Sequence, residues 1–183
     1  MELKGERMLP ADRATAWAAL NDIEILKQCV PGCEEIVPLG DNRYETTLNT
    51  AIGPVRAKFK GKLELADIDA PNAYTLKFEG SSSNAGFARG EARVTLSEVG
   101  ARETKLGYVA NAHVGGKLAQ IGSRLVDAAA GAMADKFFEA FGAQLAARAA
   151  PVEAGAPPPA PLPQATFGFW SLLKAFLRRL FGR

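Results

Sequence analysis

The eleven residues from Val55 to Leu65, VRAKFKGKLEL, alternate small or apolar with charged side chains throughout, and no other feature of the sequence restricts the fold so tightly. A period of two puts Arg56, Lys58, Lys60, Lys62 and Glu64 on one face of a strand and Val55, Ala57, Phe59, Gly61, Leu63 and Leu65 on the other. One face meets water and the other meets a core, as expected of an antiparallel sheet covered on one side. The same alternation runs through Arg43 to Thr50, Ala73 to Gly80, Phe87 to Glu98 and Thr104 to Val114, with turn signals at GDN, IGP, DAPN and EVGA. These spacings suit a meander.

The sheet needs a cover. From Gly115 and Gly116 onward the period changes, and KLAQIGSRLVDAAAGAMADKFFEAFGAQLAARAA reads as one helix of about thirty residues. Its apolar stripe includes Leu118, Ile121, Leu125, Ala129, Ala132 and Ala140. Upstream, Glu2 to Leu9 reads as a short strand, and Pro10 followed by ADRATAWAALND as a helix with proline in its first turn. Ile23 to Gln28 forms a second short helix, and CVPGCE a turn. The expected class is α+β: a curved antiparallel sheet around a long helix.

The inward faces of the later strands read Tyr74, Leu76, Phe78 and Gly80; then Ala88, Gly90, Ala92, Val94 and Leu96; then Leu106, Tyr108, Ala110 and Ala112. Small residues at mid-sheet, opposed to a helix rich in Ala and Gly, leave two arrangements. Either the helix lies very close to the sheet, or the interior encloses an apolar hollow.

Charge and proline divide the chain at one place. Residues 1–150 carry 18 basic and 19 acidic side chains, and 151–183 carry four and one, so −1 and +3 give the net +2. Six of the eleven prolines lie between Pro151 and Pro163, in a stretch too poor in large apolar residues to pack a core. The expected organisation is a body (1–150), a Pro/Ala-rich linker (151–165) reaching on the order of 45 Å as polyproline II, and a tail (166–183). Two cysteines give no disulfide framework, and the start MELKGERMLP lacks the apolar run of a signal peptide, so a reducing cytoplasm is expected. The small net charge argues against nucleic acid as a partner.

The tail, FGFWSLLKAFLRRLFGR, sets Phe169, Trp170, Leu173, Phe176, Leu177, Leu180 and Phe181 on one half of a helix. Lys174 and Arg178 fall near the centre of the other half, with Arg179 closer to a boundary. Such a segment suits the headgroup region of an anionic membrane and is too short in apolar run to span it. Docking on the body or on a partner groove is the competing role; the spacer favours a tether.

Catalytic and metal chemistry find little support. Cys29 and Cys33 lack further ligands, since the only histidine, His113, has the opposite strand parity to Tyr108 and Ala110. No metal site and no catalytic residue are assigned. The row Arg56, Lys58, Lys60 and Lys62 reads as a solvated sheet face, or else as a docking surface for an acidic partner.

Three segments, CVPGCE at 29–34, AIGPVRAKFKG at 51–61 and GGKLAQIGSRLVDAAAGAMADKFFEAF at 115–141, together with the order of elements, resemble the carbon monoxide dehydrogenase G-subunit family over about residues 1–150. That family is part of the helix-grip superfamily, similar to birch-pollen allergen and START lipid-transfer domains. The resemblance implies a non-enzymatic accessory protein, peripheral at the cytoplasmic face of the cell membrane. Its partners would be the lipid surface and a molybdenum-containing CO dehydrogenase or related hydroxylase. Its guest would be a quinone (menaquinone or ubiquinone) or similar lipid, with no covalent cofactor. On this reading the ligand wall is Tyr44, Ala57, Phe59, Gly61, Tyr74, Leu76, Phe78, Gly90, Ala92, Leu106, Tyr108, Ala110, Leu118, Ile121 and Leu125, with the tyrosines as hydrogen-bond donors to a quinone carbonyl. The alternatives are a pure tether with a filled interior, or a cyclase-like enzyme with convergent polar groups inside.

Overall fold

The computed structural model describes residues 1–149. Seven strands, β1 (Glu2–Leu9), β2 (Cys33–Gly40), β3 (Arg43–Ile52), β4 (Val55–Asp69), β5 (Ala73–Ser82), β6 (Gly86–Gly100) and β7 (Glu103–Gly115), form one sheet. Their order is β1-β7-β6-β5-β4-β3-β2, antiparallel throughout, so β2 to β7 are a meander closed at its far side by the first strand. The helices are α1 (Arg13–Leu20), α2 (Ile23–Cys29), α3 (Lys117–Gln120) and α4 (Ser123–Ala149). The expected helix-grip arrangement is present: a curved sheet with a long helix following the last strand. The amphipathic tail helix and the linker expected at 151–183 lie outside the described residues.

Four local readings change. Pro10 stands ahead of α1 and not in its first turn; the N-cap is Asp12, whose carboxylate accepts from the Thr15 backbone N–H (3.0 Å) and the Thr15 hydroxyl (2.7 Å). The turn after α2 is tighter than CVPGCE, because Gly32 (φ +73) reverses the chain and Cys33 already pairs with Leu48. A Cβ at Gly32 would collide with the Asn49 carbonyl oxygen. The strand that follows, β2, is weakly patterned and mostly exposed, as befits an edge carrying Pro38 and two register shifts. Finally, the expected thirty-residue helix is two helices, broken where Gly122 adopts φ +91.

That break resets the helical phase. The buried positions of α4 are Val126, Phe141 and Leu145, with Met133, Phe137 and Phe138 half-buried; Leu125 (50% exposed) and Ala132 turn to solvent. The bulk of α4 is also unevenly distributed along its roughly 40 Å. Its second half carries Phe137, Phe138, Phe141 and Leu145, which pack with Leu9, Ala16, Leu20, Ile25, Tyr74, Leu96 and Leu106 into the main core under α1 and α2. Phe137 stacks on Phe141 (centroids 5.6 Å apart) and Tyr108 on Phe138 (5.3 Å), with the Arg7 guanidinium 5.5 Å above the Phe138 ring. Fully burying a side chain such as Phe141 or Leu145 contributes about 1.5–3 kcal/mol. The first half of α4 has Ala128, Ala129, Ala130 and Gly131 instead. A second, smaller cluster of Ala57, Phe59, Ala85 and Leu118 closes the interior there, with Leu48, Ile52, Val55 and Val114 packed against it.

Candidate functional site

Between these two clusters lies a hollow that is partly open to solvent. Its volume is about 270 Å³, and it lies on the covered face of β3 to β6, lined by Leu48, Ile52, Phe59, Leu63, Leu76 and Phe78 and by Leu118 and Met133 from the helices. Gly80 and Ala88 widen it, because small residues at mid-strand leave the space that a larger side chain would occupy, whereas at Gly61 a Cβ would come within 2.8 Å of the Thr46 hydroxyl and 2.9 Å of the Glu79 carbonyl oxygen. The polar side chains on this wall are Thr46 and Thr50; Glu79 also borders the hollow, but it is exposed and its strand parity belongs to the outer face. The close-packing and hollow arrangements therefore coexist, one at each end of α4.

Of the residues that parity and resemblance select, Phe59, Gly61, Leu76, Phe78 and Leu118 line the hollow, and Ala57 adjoins it in the smaller cluster. Others stand elsewhere. Leu106 and Tyr74 belong to the main core, where Tyr74 meets Trp17 edge-on (5.6 Å), and burial pushes its phenol pKa up to about 12. Tyr108 is held by Phe138 and lies across Gly5, where a Cβ would come within 2.7 Å of its hydroxyl. Tyr44 is half-buried opposite Leu63. Gly90 serves strand pairing, since a Cβ there would collide with the Asn111 carbonyl oxygen. Ala92 and Ala110 face each other across β6 and β7, half-buried. Ile121 is half-buried and Leu125 half-exposed beside the β3–β4 turn. The residues selected for membrane contact, Phe169 to Phe181, lie outside the described residues.

Sequence reasoning missed the contribution of β3 and Met133. In RYETTLNTAI the inward residues Thr46, Leu48, Thr50 and Ile52 alternate with Glu, Thr, Asn and Ala, so the contrast in polarity is weak. Met133 has a signal, being seven residues from Val126 and four from Phe137, but only the corrected helical phase reveals it.

The remaining chemistry is dispersed. His113 is exposed on the outer face opposite Arg89. Cys29 is buried in the main core, and burial raises both thiol pKa values, which disfavours the reactive thiolate. Among the described residues no three His, Cys, Asp or Glu side chains group as metal ligands. The lysine row of β4 is not a continuous cationic surface. In register across the sheet, Glu45, Lys62, Glu79 and Arg89 alternate in sign, as do Arg43, Glu64, Lys77 and Glu91. Lys58 pairs with Glu34 at 2.7 Å, which holds the Glu34 carboxyl below its ordinary pKa. Among the described residues no helix is long and apolar enough to cross a membrane.

Comparison with known proteins places this geometry. The family model for the G subunit of carbon monoxide dehydrogenase (CoxG) matches residues 5–146. A conserved protein from Geobacillus kaustophilus superposes with a TM-score of 0.77 at 29% identity, covering 80% of this chain and 96% of that one. A START superfamily protein from Mycobacterium smegmatis (TM-score 0.63, 13% identity, 80% and 98% covered) shares the fold. So does the Zhui aromatase/cyclase from Streptomyces sp. R1128 (TM-score 0.63, 12% identity, 86% and 99% covered). No curated protein matches the sequence.

Proposed function

Because the chain belongs to the CoxG family, that of the carbon monoxide dehydrogenase G subunit, we propose that it is a non-enzymatic accessory protein that carries an apolar guest, a quinone or similar lipid, for a membrane-associated molybdenum hydroxylase. The observation that carries this reading is the hollow of about 270 Å³, walled by Leu, Ile, Phe and Met side chains. A dry apolar cavity of about 150 Å³ suffices to bind benzene, so this one is large enough for a quinone ring and a short piece of its chain. Each methylene sheltered there is worth about 0.8 kcal/mol relative to water. A full isoprenoid chain exceeds the volume, so the guest sits ring-first with its chain leaving the hollow. The Thr46 and Thr50 hydroxyls are the donors that can meet a quinone carbonyl in that pose.

A wall of Leu, Ile, Phe and Met side chains with two threonines suits binding of an apolar guest. In this proposal residues 166–183 hold the protein at the cytoplasmic face of the membrane through their apolar and basic halves, and the linker lets the body reach the hydroxylase. Menaquinone or ubiquinone is the expected guest, and a CO dehydrogenase or related hydroxylase the expected partner.

Organic extraction of protein purified from its own membranes, followed by mass spectrometry, tests the carrier. Recovery of a quinone or other isoprenoid in near-stoichiometric amount is expected. An extract free of any lipid leaves only a tether.

A further inference from the structure

We infer that the body itself touches an anionic lipid surface, through the rim formed where the β3–β4 turn meets the α3–α4 bend. The inference deepens the carrier reading and rests on it for its purpose, but not for its geometry.

Ile52 and Leu118 line the hollow, and the chain that follows each runs on past that lining. After Ile52 comes the exposed Gly53–Pro54 turn; one helical turn after Leu118 come Ile121, the bend at Gly122 and Leu125. The two segments meet, since a Cβ at Gly53 would stand 3.7 Å from Ile121 Cδ1 and 4.0 Å from Leu125 Cδ1. Leu125 is nevertheless 50% exposed, and Pro54 is also exposed. Leu125 is one of several exposed apolar side chains on the body, and it is the one that packs beside a turn leading from the hollow's lining.

The charges around it are of one dominant sign. Arg56 follows the turn, Lys117 opens α3, and Arg124 stands beside Leu125; all three are exposed and none is in an ion pair among the described residues. Asp127, one turn along from Arg124, is the acid on this stretch of α4. An exposed leucine and proline flanked in sequence by three cations complement a layer of anionic headgroups over hydrocarbon. The sign alternation that neutralises the sheet's outer face is missing here. Contact at this rim would let a guest pass between bilayer and hollow without crossing water, which tethering by the tail alone does not provide.

The test is hydrogen exchange by mass spectrometry on the full chain, with vesicles of equimolar phosphatidylcholine and phosphatidylglycerol. Peptides covering residues 50–56 and 117–127 are expected to gain protection with these vesicles and not with phosphatidylcholine alone. The double variant Ile121→Glu/Leu125→Glu should lose that protection, still co-sediment through its tail, and exchange a fluorescent quinone analogue with vesicles at least about tenfold more slowly. Rim peptides that exchange alike with and without anionic vesicles overturn the inference, whether or not the chain co-sediments. So does loss of rim protection, without vesicles, on deleting residues 166–183, because the tail would then be the rim's occupant. Vesicle-dependent protection in a protein whose extract holds no lipid would sustain the rim and remove the carrier.

Discussion

Ala88→Leu separates a hollow interior from a solid one by the sign of a stability change. Ala88 lies on the hollow's wall, in register with Gly80 on one side and Val114 on the other, so the added side chain meets Gly80, Val114 and the hollow. Three extra carbons at about 0.8 kcal/mol each offer about 2.4 kcal/mol of transfer free energy. Fixing the leucine rotamer removes about 0.5–1 kcal/mol of this. Incomplete enclosure removes a further part, leaving the lipid-free variant roughly 1 kcal/mol more stable than its parent. For a chain of this size that is a rise of about 2–4 °C in Tm. The same insertion into a filled core costs about 1–3 kcal/mol, and Ala16→Leu, at a fully buried position of the main core, is the control expected to show it. Urea unfolding and thermal melts of delipidated protein measure both. Because the added carbons occupy the guest's space, Ala88→Leu should also lose most of the extractable ligand. Destabilisation by about 1 kcal/mol or more, matching the control, would refute the hollow and with it the carrier.

Phe141→Ala removes the fully buried ring that stacks on Phe137, and urea unfolding should show a loss of about 3–5 kcal/mol; a loss under about 1 kcal/mol would mean that the aromatic end of α4 is not the core. Asp12→Ala should cost about 1 kcal/mol at neutral pH through the α1 cap. Hydrogen bonds from Thr15 lower the Asp12 pKa on folding, so this contribution is present above its ordinary value of 3.8 and fades as pH falls through the lower folded value. Acid titration of both proteins should show their stabilities converging there, and a gap that persists or widens would contradict the capping role. The full chain should co-sediment with anionic liposomes, less so at high salt and less after Trp170→Glu or Leu177→Glu; undiminished binding by a chain lacking residues 166–183 would remove the anchor.

Much of the architecture was written locally. The alternation of Val55 to Leu65 determined which side of β4 faces inward, because successive side chains in a strand must point to opposite faces whatever else the protein does. Turn chemistry around Gly40–Asn42 and Gly53–Pro54 determined where strands reverse, and the family segments pointed to the helix-grip arrangement. Where the inside is empty was not written that way. Strand parity selects Tyr74, Leu106 and Tyr108 as inward just as it selects Phe59 and Phe78, yet the first three meet the bulky end of α4 while the last two line the hollow, where α4 contributes Met133. That difference depends on how far along the sheet Phe137, Phe138 and Phe141 come to rest, and so on the bend at Gly122, which also turns Leu125 outward. A residue's face is a property of its own backbone. The volume in front of it is a sum over side chains far apart in sequence, which only the assembled tertiary structure can set.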